Sequence, residues 1–249
     1  MGKTLSIARR ELAGYFYSPL AYGIGALFLC VCGFKFASPP GFWAGSREWF
    51  ILVPYQQASL RTLFEMMGAA MVVAAPLLTM RLVSEELRGG TIETLLTAPV
   101  TDAQVILGKF LGVLGFYLAL LGGTLIFLVL MFVFATPDAG VVVMGYLGMI
   151  LLGAAFLAVG LFASTLTRHQ LLAAAAAIVI LSFFTLLMGP AAAHLPEPWN
   201  QTAARLNALY YLKGFARGLF DSRGVVFFLA LTGGFLFLSV KTLESRRWR

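Results

Sequence analysis

Residues 105–134 read VILGKFLGVLGFYLALLGGTLIFLVLMFVF, a run of 30 residues that is apolar almost throughout. As a helix it would extend roughly 45 Å, well beyond the roughly 30 Å of hydrocarbon in a bilayer. Its first turns are therefore expected to project into water, and Thr101-Asp102-Ala103-Gln104 ahead of it has the form of a capping box. A membrane β-barrel would show short alternating segments instead of an unbroken apolar stretch, so a helix is the reading.

Working outward, comparable runs occupy about 20–36, 62–80, 141–163, 171–190 and 224–241. Six runs of this length predict an all-α integral membrane protein, with 1–249 forming a single transmembrane domain and no soluble domain of its own. The composition agrees. Hydrophobic residues make up 60% of the chain and charged residues only 12%, about half the charged share of an ordinary soluble domain. The formal charge of +7 comes from Lys and Arg placed mostly between apolar runs, where headgroups are the expected partners rather than nucleic acid.

The connecting segments carry their own signals. Residues 3–17 mix Lys3, Arg9, Arg10 and Glu11 with Leu5, Ile7, Leu12, Tyr15 and Phe16, which predicts a helix lying in the membrane interface. Pro19 then breaks the chain into the first span. The loop 37–61 holds Trp43, Trp49 and three prolines, and 191–223 is amphipathic and punctuated by proline. With the N-terminus inside, eleven Lys and Arg fall on the inner side and seven on the outer, which favours both termini in the cytoplasm.

Several local patterns carry no chemistry. Met1-Gly2 with Ser6 fits a loose myristoylation pattern, and Gly2-Lys3-Thr4 lacks the upstream glycine and strand of a phosphate loop. No small-residue cleavage site follows a short apolar core near the N-terminus. Cys30 and Cys32, two positions apart on one helix, point in different directions and read as small buried hydrophobes. Ionisable residues at mid-span depth mark intramembrane enzymes and ion-coupled carriers, and the central parts of spans three to six contain no Asp or Glu. Lys35 and Glu65 sit near outer span ends, and His169 and His194 fall in loops on opposite sides. The chain is therefore not expected to be an enzyme, and no cofactor, catalytic or metal site is assigned to it.

The polar stretch 81–104 holds four of the eleven acidic residues: Glu85, Glu86, Glu93 and Asp102. Gly89-Gly90 breaks the chain, Thr91 can cap a new helix and Pro99 ends it. Between them a short helix would present Ile92, Leu95 and Leu96 on one side, with Glu93 elsewhere. Such a helix suits a groove on a partner protein, and equally a connector resting on headgroups. Small residues mark packing faces: Gly108, Gly112 and Gly115 at the start of the third span, and Ala173 to Ala177 in the fifth, allow close helix approach.

The run from Arg81 to Gly112, with Ser84-Glu85-Glu86, Gly90-Thr91-Ile92-Glu93, Leu96-Thr97-Ala98-Pro99-Val100 and Leu107-Gly108-Lys109-Phe110, resembles the signature loop of bacterial ATP-binding-cassette (ABC) exporter permeases of the type-2 class. Arg10-Glu11-Leu12 with Tyr15 to Tyr22 is similar to that family's approach to its first span. Phe215 to Asp221, and Leu243 to Trp248, resemble its gliding-motility and copper-maturation branch.

The resemblance implies a permease in the bacterial inner membrane, working as a pair of identical or related permease chains with two separate ATPase subunits. ATP and Mg would be bound by those partners. The helix around Thr91–Thr97 would be the coupling helix, so that Glu85, Glu86, Thr91, Ile92, Glu93, Leu95 and Leu96 are the expected ATPase-coupling residues. The segment 3–17 would be an interfacial elbow, and 191–223 either a partial re-entry from outside or a helix that stays in the interface. A mechanotransmission subunit, driving a periplasmic partner without moving a substrate, is the alternative within the same resemblance.

Overall fold

The computed structural model describes residues 2–37, 59–90, 101–134, 138–188, 196 and 199–247. Every regular element among them is helical, so the protein is all-α. Helix α1 spans Gly2–Phe16 and α2 Pro19–Ala37, with a bend of 72° between them. Helix α3 covers Ser59–Thr79 and is followed after a short turn by α4, Ser84–Gly89. Helices α5 (Asp102–Phe134) and α6 (Ala139–Leu166) are the two longest. Helix α7, Gln170–Ser182, runs on into a wider π-type turn at Phe183–Leu187. Two short helices, α8 (Trp199–Arg205) and α9 (Ala208–Phe215), precede α10, Ser222–Arg247.

Five of these stretches are long and apolar enough to cross a bilayer, and the bent pair α1–α2 raises the number to six among the described residues. At 33 residues, α5 measures about 50 Å. Thr101 and Gln104 form the reciprocal capping box at its start, each backbone N–H donating 3.3 Å to the other's side-chain oxygen.

Helix α6 is the centre of the bundle. Its apolar sequence has no polar face, and from Leu152 to Thr165 every residue except Ala154 and Phe162 is buried. It can be approached on all sides because glycines remove side chains where neighbours cross: a Cβ at Gly145 would overlap Phe64 of α3, one at Gly153 Tyr117 of α5, and one at Gly160 Thr79 of α3. A Cβ at Gly148 would stand 2.7 Å from Phe215 of α9. Tyr117 completes the α5–α6 contact by donating 2.7 Å to the Met149 carbonyl.

Helix α9 is amphipathic. Tyr211, Leu212 and Phe215 are buried against the bundle while Tyr210 and Lys213 are exposed, as is Arg217 just beyond the helix. Asn207 caps its start by accepting 2.9 Å from the Leu209 N–H. Helix α7 packs its small face inward, with Ala173, Ala174 and Ala177 buried. The two cysteines differ from the expectation: Cys32 is buried, but Cys30 is exposed on the opposite side of α2, as a separation of two residues on a helix dictates.

Candidate functional site

Helix α4 is the last described element before residues 91–100, and its attachments define the candidate site. It is too short to hold itself in place, and its first N–H groups have no partners within the helix. Ser164, near the end of α6, supplies them. Its Oγ accepts from the Val83 and Ser84 N–H groups, each at 3.1 Å, and donates 3.2 Å to the Met80 carbonyl. One hydroxyl thereby uses its donor and both lone pairs, bridging the end of α3 to the start of α4. Ser84 Oγ donates to the same Met80 carbonyl. At the other end Gly90 takes φ 68°, a left-handed cap that glycine adopts without strain.

The second attachment of α4 is ionic. Lys109, on the second turn of α5, is only 1% exposed. Its Nζ lies 2.7 Å from Glu86 Oε1 on α4 and 3.1 Å from Glu11 Oε1 on α1. A buried ammonium needs such compensation, because desolvation costs several kcal/mol per ion in a protein interior. Glu86 Oε2 is buried without a hydrogen-bond partner. In the sequence Lys109 counts only as one of the eleven cations assigned to the inner side; in the structure it is a buried counter-ion joining three helices.

The glycines of α5 bring α1 close enough for this contact. A Cβ at Gly108 would stand 2.7 Å from Ile7, one at Gly112 2.6 Å from the Glu11 Cβ, and one at Gly115 3.3 Å from Leu12. Tyr15, on the same helix, donates 2.6 Å to the Leu78 carbonyl of α3 and stacks on Phe116 at 5.1 Å. Burial, and after it the nearby Glu11 carboxylate, pushes the Tyr15 hydroxyl well above the ordinary tyrosine range, so it remains a neutral donor. Arg81 donates 3.2 Å to Ser18 at the α1–α2 corner. A cavity of about 290 Å³ opens among Glu11, Tyr15, Arg81, Glu85, Glu86 and Lys109.

These contacts fasten the start of α2, the end of α3, the start of α5 and the end of α6 at one end of the bundle. Of the residues expected to engage a partner, Glu86 faces inward to Lys109 and Glu85 is exposed at the cavity. Thr91, Ile92, Glu93, Leu95 and Leu96 lie outside the described residues. Gly108, Gly112 and Gly115 line the contact with α1. Sequence reasoning does not single out Glu11, Lys109 or Ser164. A lysine embedded in a glycine packing seam is the available signal, since a cation on a close-packed face requires a counter-charge.

A sequence model of the family described as "ABC-2 family transporter protein" matches residues 5–216, which include the whole node. No curated protein shows a significant match.

Proposed function

This chain belongs to the ABC-2 family of transporter proteins, and on that premise we propose that it is the permease subunit through which a separate ATPase drives export. Membership makes it a multi-pass membrane subunit of an ABC transporter that is not itself the ATPase and that associates with one. ATP hydrolysis by that partner is coupled, in this reading, to outward movement of substrate. Residues 91–97 serve as the docking helix, with Glu85 and Glu86 leading into it. The termini are assigned to the cytoplasm of a bacterium and the chain to the gliding-motility and copper-maturation branch, with a second permease chain completing the membrane unit.

The observation that carries this reading is the attachment of α4. It precedes the proposed docking segment and is bound by backbone hydrogen bonds to Ser164 and by an ion pair to Lys109. Displacement of the docking segment would therefore reach α1, α5 and α6 through defined contacts. A connector merely resting on headgroups has no need of a buried lysine.

The test is affinity purification of the tagged chain from its native membrane, followed by Leu95→Asp and Leu96→Asp. An ATPase should co-purify with the wild type, and both substitutions should abolish its assembly or its turnover. Unchanged assembly and turnover in both variants would remove the docking assignment.

A further inference from the structure

The two attachments of α4 differ in kind. Ser164 grips backbone N–H groups at the start of the helix, where Val83 has left helical geometry with φ −121° and ψ −36°. These hydrogen bonds hold residues 83–84 at the N-cap of α4. The second attachment lies further along α4, at Glu86, and ends on a long, rotatable lysine side chain.

Lys109 does not serve α4 alone. It shares its charge between Glu86 of α4 and Glu11 of α1, on helices 75 residues apart in the chain. A purely static filler at this position would be better made from apolar residues, since buried ion pairs seldom stabilise relative to hydrophobic replacements. Glu86 also engages through one oxygen while its second is buried and unpaired. That leaves a second acceptor available when the angle between α4 and the lysine changes.

We propose that α4 is a lever pivoting on Ser164, and that Lys109 is the positioning residue that transmits its tilt to α1. The inference rests on the permease reading above and adds a specific output: the N-terminal helix moves with the ATPase cycle. Glu11 is the ionic link on the α1 side, so neutralising it removes the charge coupling to α4 while the Lys109–Glu86 pair and the packing of α1 on α5 survive.

The experiment measures a distance between spin labels in the intact complex, isolated from its native membrane with its co-purifying ATPase. Labels at Leu5→Cys on α1 and Leu171→Cys at the start of α7 occupy exposed positions, 69% and 80%. Cys30→Ser and Cys32→Ala remove the two native thiols. In the background with Glu11 intact, the distance should shift between the nucleotide-free and the ATP–vanadate states. With Glu11→Gln the shift should be lost in complexes that retain the co-purified ATPase. Arg10→Gln, which removes the other cation beside Glu11 at 3.4 Å, should keep the shift. A full shift in Glu11→Gln overturns the lever, as does its absence when Glu11 is intact. If no ATPase accompanies the wild-type chain at all, the permease reading fails as well, so the two failures are separable.

Discussion

Lys109 of α5 and Glu86 of α4 are joined by a 2.7 Å ion pair in which the lysine is almost wholly buried, although nothing in the sequence around either residue names the other as its partner. The pair joins the second turn of α5 to the short helix that follows α3.

Lys109→Ala should be among the most destabilising single changes at this end of the bundle. It leaves Glu86 without its cation and Glu11 with only the exposed Arg10 at 3.4 Å, and breaking a buried pair costs about 3–5 kcal/mol. Both carboxylates are about one-fifth exposed, at 19% and 21%, so the low end of that range is expected. The neutral combination Lys109→Met, Glu11→Gln and Glu86→Gln should recover most of the loss. Thermal unfolding in detergent checks the comparison, and equal stability of the two variants would contradict the ion-pair account.

Ser164→Ala strips the acceptor from two backbone N–H groups, each 3.1 Å away. Water can relieve part of the loss, so about 1–3 kcal/mol is expected rather than twice that. Amide exchange at Val83 and Ser84 should accelerate by more than exchange in the middle of α6. Uniform acceleration across the bundle would mean that Ser164 acts only as general packing.

Gly112→Ala and Gly122→Ala separate close approach from helix propensity. At Gly112 the new methyl would stand 2.6 Å from the Glu11 Cβ and should force α1 outward, costing about 1–3 kcal/mol. Gly122 has no neighbour within 4 Å, so there alanine should be neutral or stabilise by about 0.5–1 kcal/mol. Matched melting curves of the two variants decide the point, and a stabilised Gly112→Ala would show that α1 does not depend on this seam.

Tyr15→Phe keeps the stack on Phe116 and removes the hydrogen bond to the Leu78 carbonyl, a loss of about 0.5–1.5 kcal/mol at neutral pH. The sign of its pH dependence comes from the raised hydroxyl. In the unfolded chain the phenol ionises near pH 10, whereas the folded chain keeps it protonated. The stability linked to Tyr15 is therefore present below about pH 10 and falls as pH rises beyond it. The wild type should lose its advantage over Tyr15→Phe above that pH. A constant difference from pH 7 to 11 would argue against burial of the hydroxyl.

Much of the fold is legible in the sequence, for a simple reason. A helix that meets lipid must satisfy its own backbone and present apolar side chains, so apolar runs such as 105–134 reveal membrane helices locally. The capping box at Thr101 and Gln104 and the break at Gly89-Gly90 are likewise encoded within a few residues of where they act. The glycines at 108, 112 and 115 can be read as a close-packing face, but not for which partner. Only the structure shows that the partner is α1.

What the sequence determined by itself is the all-α membrane class and its family. Both are carried by composition, run length and contiguous motifs, which survive without knowledge of which helices touch. What only the tertiary structure decided is the ionic node. Glu11 and Glu86 lie 98 and 23 residues from Lys109 in the chain, and each of the three alone reads as an ordinary interfacial charge. Ser164 likewise lies 80 residues from the Ser84 N–H it satisfies. Their meaning depends on the packing of α1, α4 and α6 around α5, because the cost of burying a charge or leaving an N–H unpaired arises only once water has been excluded from the contact.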